Sequence, residues 1–209
     1  MRISNSFYII ILTLCFFLSF ATKAEESSFL WKKIEEGALS NNVAMREGTQ
    51  HMLSTFNKNP KKYTPENIEN FDMKFEKGLD DICANCRYDV KFNRENNRSL
   101  PLFEEFKSYN SETWSKIAND KGFIKQFESY LNTEGIEKIE DLAYVINSNK
   151  ANINEVKEAF KEVFKNKRSE FFEIIKKNKN LSESLDIDNI SDLTNEKISD
   201  IVEHIVKAQ

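Results

Sequence analysis

Residues 64–92 read TPENIENFDMKFEKGLDDICANCRYDVKF, and this stretch decides between a helical fold and a mixed one. Thr64-Pro65-Glu66 has the form of a helix start: a capping hydroxyl, a proline at the first helical position and an acid near the positive dipole end. Behind it Ile68, Phe71, Phe75, Leu79 and Ile82 recur at spacings of three and four, the mark of one apolar helical face. Tyr88, Val90 and Phe92 then alternate with polar residues, which suits a short strand. A strand needs a partner, no second alternating run is evident, and an isolated strand is not stable. The stretch therefore predicts an amphipathic helix over 65–82 followed by an extended connection.

The same periodicity extends outward in both directions. Ser27-Ser28 can cap a helix carrying Phe29, Leu30, Ile34 and Ala38, and a second runs through Val43, Met52, Leu53 and Phe56 until Asn59-Pro60 ends it. Pro101 can open a helix through Phe103 and Phe106, and Ser111 can cap one bearing Trp114 and Ile117. Phe123, Phe127 and Leu131 continue, then Ile136, Ile139, Leu142, Val145 and Ile146. The longest element spans 154–178, with Val156, Phe160, Val163, Phe164, Phe171, Ile174 and Ile175 on one stripe. A last helix starts near Thr194 and buries Ile198, Ile201, Val202 and Ile205. Five glycines and three prolines in 209 residues leave few interruptions. The expected fold is all-α, a helical bundle of six to eight helices.

The chain opens with Arg2, an apolar run from Phe7 to Phe20, and Ala21-Thr22-Lys23-Ala24 before Glu25-Glu26. That order is a secretory signal peptide, residues 1–24, and the apolar core is shorter than the ~20 residues of a membrane span. Cys15 is no lipid-attachment site, since Leu14 precedes it and it lies mid-core. The mature chain is then a single helical domain over 25–209, with a possible subdivision near residue 95. Cleavage removes Arg2 and Lys23 and shifts the formal charge from −4 to −6. An acidic chain argues against general nucleic-acid binding, which depends on neutralising phosphates.

Cys83-Ala84-Asn85-Cys86 is the one chemical motif, and cleavage leaves these as the sole cysteines. In an oxidising compartment a structural disulfide between Cys83 and Cys86 is the favoured use. A redox-active pair would need a helix N-terminus to stabilise a thiolate, whereas here the pair follows an expected helix, after Asp80 and Asp81. Nor does the chain show the βαβ pattern of a thioredoxin-like domain. Haem attachment would want His where Arg87 stands, and zinc has only His51 and His204 to draw on, far apart in sequence. Both histidines read as ordinary surface or half-buried residues. The acidic run from Asp186 to Asp192 fails as a calcium loop because Ile190, Ser191 and Lys197 occupy positions that need a ligand, Gly and Glu. No metal or cofactor is expected.

Carboxylates such as Glu35 or Glu104 are available for acid–base work, but no catalytic motif singles them out. The basic residues of 154–178 face an acidic stretch over 183–203, and the two are expected to pack with opposite charges along their seam. Asn97, Asn180 and Asn189 begin N-x-S sequons that a chain so rich in Asn produces by chance. The expected function is binding: an exported, soluble protein that engages a protein partner, periplasmic or extracellular. The alternatives are a helical carrier of a hydrophobic small molecule and a thiol–disulfide oxidoreductase using Cys83 and Cys86.

Overall fold

The computed structural model describes residues 32, 34–75, 86–95 and 97–209. The signal segment, the first capping serines and Cys83 lie outside the described residues. The fold is not all-α and not a helical bundle. Five strands form one mixed sheet in the order β1-β2-β3-β4-β5, with helices on both faces. In chain order the elements are α1 (Val43–Lys58), β1 (Ile68–Lys74), β2 (Arg87–Phe92), β3 (Phe103–Lys107), α2 (Ser111–Ala118), α3 (Lys121–Leu131), β4 (Leu142–Ile146), α4 (Ile153–Asn166), α5 (Arg168–Lys177), α6 (Lys179–Ser184), α7 (Asn195–Ile205) and β5 (Val206–Ala208). The pairs β1-β2 and β2-β3 are antiparallel, while β3-β4 and β4-β5 are parallel and are joined by helical crossovers.

The correction has a local cause in each strand. In β1 the register shifts between Ile68 and Asn70, so Ile68 faces Phe92 while Asn70 faces Lys91. That bulge places one extra residue on β1 and brings Ile68 and Phe71 to the same face at a spacing of three, which imitates a helix. Asp72 then takes φ +41°, and Phe75 beyond it joins the opposite core. Thr64 does cap, its hydroxyl accepting from the Asn67 N–H at 3.3 Å, yet the turn runs straight into β1. The alternating segment is β2, and its missing partners are the disguised β1 and β3. Strand β4, Leu-Ala-Tyr-Val-Ile, is buried on both faces, and such a strand reads as a continuous apolar run without period two.

Several helices lie where periodicity places them. Thr194 caps α7, accepting from Lys197 N at 3.1 Å, and Asn59 ends α1. The element expected over 154–178 is interrupted at Lys167, which leaves helical geometry between α4 and α5. The basic face of α4 meets α7, where Lys157 pairs with Glu203 at 2.5 Å and Lys161 with the same carboxylate at 3.2 Å.

The sheet separates two cores. The larger one lies under α2 to α7 and centres on Phe160, whose ring meets those of Trp114, Phe123, Tyr144 and Phe164 at 5.2–5.9 Å. The smaller one holds Ile34, Met52 and Phe56 from the helical side, with Tyr63, against Ile68, Phe71, Val90, Phe92, Phe106 and Val145 of the sheet. Strands β2 and β3, on either side of residue 95, pair directly.

Candidate functional site

Strand β3 carries Phe103-Glu104-Glu105-Phe106, two carboxylates inside a buried strand. Alternation sends them to opposite faces, and each meets its own partners. Glu104 accepts from the Tyr63 hydroxyl at 2.7 Å and from the Lys62 ammonium, which lies 5.2 Å above the Tyr63 ring. Burial and the Glu104 charge raise the Tyr63 hydroxyl far above its usual range. Glu105 accepts from Gln126 Nε2 at 3.0 Å, from the Lys107 ammonium and from the Tyr130 hydroxyl. Each buried charge is thus paired, as a low-dielectric setting demands.

Pairing of β2 with β3 covers Lys91 and Val90 and stops there, so the two strands part towards Arg87 and Lys107. The fork is polar. Asp89 turns its carboxylate across it and accepts the Phe106 N–H at 2.6 Å, in the position of a ladder bond. Gln126 spans the gap, donating to the Arg87 carbonyl at 2.8 Å as well as to Glu105. Arg87 holds Asp72 of β1, with Nε 2.6 Å from Oδ1 and Nη2 3.2 Å from Oδ2. Removal from water, with the Glu105 charge beside it, raises the Asp89 carboxyl to about 8, despite the opposing pull of Lys107. Burial opposes the charge on Lys107, yet Glu105 and Asp89 outweigh it and hold the ammonium above its ordinary range. The fork therefore sets the Glu105–Lys107 ion pair beside an Asp89 carboxyl that burial holds above its ordinary range.

Behind the fork lies a cavity of about 190 Å³ between the sheet and the helical segments 34–38 and α1. Asp72, Asp89, Phe71 and Phe106 form its sheet wall; Ala44, Met45, Gly48, Thr49 and Met52 form the helical wall. The helical wall is set by glycine. A Cβ at Gly37 would stand 2.7 Å from the Thr49 hydroxyl oxygen, so segment 34–38 approaches α1 only without a side chain there. A Cβ at Gly48 would meet nothing within 4 Å. Met45 of the helical wall is 50% exposed, and Leu39 and Val43, close in sequence to the lining residues Gly37 and Ala44, are 79% and 55% exposed. Three of the five large apolar side chains exposed among the described residues thus fall within residues 39–45.

The residues singled out from sequence are scattered. Glu35 is exposed, while Glu104 is buried on the smaller-core side of β3. His51 is buried in α1 with Nε2 3.2 Å from the Val145 carbonyl, and burial lowers its pKa. His204 stands half-exposed on α7, 3.2 Å from Glu140. Asp192 closes a turn, accepting from Asp188 N and Asn189 N at 3.0 and 2.7 Å. Cys86 is half-buried and leads into β2. The parallel crossovers show that a βαβ arrangement does exist, but the cysteine motif lies outside it, ahead of an antiparallel strand. Among the described residues no group of three or more His, Cys, Asp or Glu could hold a metal ion. Neither periodicity nor motif spacing points to Asp89, Glu105, Lys107, Gln126 or Tyr130. The one available signal is Glu104-Glu105 flanked by Phe103 and Phe106, a pattern that also suits a helix surface. No family model, no curated protein and no solved structure matches the chain.

Proposed function

We propose that this is an exported protein that works by binding a protein partner, and that the rim formed by Leu39, Val43 and Met45 around the α1 cavity is its docking face. The observation that carries the reading is the clustering of exposed apolar side chains beside a cavity that Met45 itself lines. A void of about 190 Å³ is below the ~300–1,000 Å³ of sites that enclose a cofactor-sized ligand. It suits one side chain of a partner, in the manner of an interface anchor. The same volume weighs against the carrier of a hydrophobic small molecule. Export is supported by the order of residues 1–24, and no helix among the described residues is long and apolar enough to cross a membrane.

Cys83 and Cys86 are proposed as a structural disulfide that clips the chain ahead of β2. A thiolate-based exchange reaction gains nothing from a cysteine that leads into a strand instead of opening a helix. The test of the binding reading is photo-crosslinking in the native compartment. A photoreactive residue at Val43 is expected to give a discrete protein adduct that Met45→Asp abolishes, while one at the exposed Lys179 gives none. Equal labelling from both positions, or none from Val43, would remove the docking face.

A further inference from the structure

We infer that the α1 cavity receives a primary ammonium on an apolar stem, the lysine side chain of the protein partner, with its methylenes against Met52, Phe71 and Phe106 and its charge at Asp89. The inference rests on the docking face proposed above and names the group that enters behind it.

Charge at the fork is the first argument. Three carboxylates meet there, Asp72, Asp89 and Glu105, with two cations, Arg87 and Lys107. Arg87 is paired with Asp72 and Lys107 with Glu105. Among the side chains described, which do not include that of Lys74, no cation lies within ion-pair distance of Asp89, whose hydrogen-bond donor is the Phe106 amide. An entering monocation matches the charge that Asp89 carries once its proton has left. The other walls offer no competitor: α1 presents Ala44, Met45, Gly48, Thr49 and Met52, and His51 is turned to the Val145 carbonyl. From α3, Gln126 and Tyr130 both donate to Glu105.

Shape is the second. The small residues Gly37, Ala44 and Gly48 leave room for an unbranched aliphatic stem over an apolar floor, and Asp89 stands in the wall. Arginine fits the site less well, because its planar fork wants two acceptors in one plane. Both Asp72 oxygens already receive Arg87. A compact ammonium needs a single carboxylate.

Binding then carries a proton balance. The Asp89 carboxyl gives up its proton to the buffer and the ammonium keeps its own, so affinity rises with pH until Asp89 is ionised. Calorimetric titration of the purified protein with n-butylammonium and with Nα-acetyl-lysine N-methylamide tests this, with butanol and butyrate as controls. Both amines are expected to bind, about tenfold more tightly at pH 9 than at pH 7, given a carboxyl near 8. Butanol is expected to bind at least about tenfold more weakly and butyrate not at all. Asp89→Asn removes the charge and keeps an acceptor for Phe106 N–H; it should lose amine binding while circular dichroism shows the fold retained. Gly48→Leu fills the cavity without touching a carboxylate and should also lose binding. Equal affinity for butanol, or undiminished binding in Gly48→Leu, overturns the site. Binding of butylammonium without the blocked lysine overturns the assignment to a partner's lysine. If neither amine binds while the Val43 crosslink persists, this inference falls and the docking face stands.

Discussion

The two faces of the sheet are covered in opposite ways. On one side six helices close over a core in which Trp114, Phe127, Tyr130, Tyr144 and Phe160 are fully buried. On the other α1 and segment 34–38 cover a smaller cluster and leave a cavity, with a rim of exposed apolar side chains. Both faces share one sheet, so strand sequence alone does not explain the contrast. The covering helices do: the large face receives rings along its length, whereas α1 sends Met52 and Phe56 onto the sheet but lines the cavity with the small residues Ala44, Gly48 and Thr49. Close packing on one side supplies stability, and incomplete packing on the other leaves a cavity of about 190 Å³.

The contrast is open to direct test. Phe160→Ala empties the centre of the large core and should cost about 4 kcal/mol, read from chemical denaturation. A loss no greater than that of Phe56→Ala on the other face would break the distinction. Glu105→Gln removes the partner of a buried ammonium and should cost about 3 kcal/mol. It should also lower the Asp89 carboxyl, since the Glu105 charge helps to raise it, and carbon NMR of the labelled side chain would read that shift.

Asp89→Asn should act in the opposite sense. Its carboxyl is raised on folding, so the native state binds the proton more tightly than the unfolded chain. Stability from this group is complete below about pH 4 and is lost as pH climbs towards 8. The Asn variant should therefore gain progressively on the parent as pH rises from about 4 to 8, and gain nothing at about pH 3.5. A gain independent of pH would separate Asp89 from the raised carboxyl. The smallest effects come from helix chemistry. Thr194→Ala removes the cap of α7 at about 1 kcal/mol, and Gly48→Ala should stabilise α1 by roughly 0.5–1 kcal/mol because its Cβ meets open space. Loss of stability in Gly48→Ala would show that the cavity wall is tighter than described.

How far the fold was legible follows the same division. Helices of the large face could be read from spacing, since α4 and α7 are amphipathic and well capped. The sheet could not, because three different effects hid its members. A bulge gave β1 a spacing of three, double-sided burial gave β4 an unbroken apolar run, and the charges of Glu104 and Glu105 made β3 resemble a helix surface. The segment with true alternation, β2, shows no neighbour in sequence, because the pattern of each adjoining strand is itself disguised. The site fell with the sheet, because Asp89, Glu105 and Lys107 converge only once β2 and β3 are side by side. Val43 and Met45 are apolar positions whose exposure depends on which face of α1 the sheet takes, and Leu39 lies in the turn before it.

Strand β5 has a consequence for the order of folding. Val206–Ala208 pairs with Tyr144–Ile146, across the whole of α4 to α7. Until those helices have formed and docked, the Leu-Ala-Tyr-Val-Ile strand stands at an open edge, with unsatisfied amides and an apolar surface. Non-local parallel pairing of this kind is slow to close. Any state in which α7 and β5 are undocked leaves the chain's most apolar strand open to pairing with another molecule. Conditions that slow α7 should raise aggregation before they lower the stability of the finished protein.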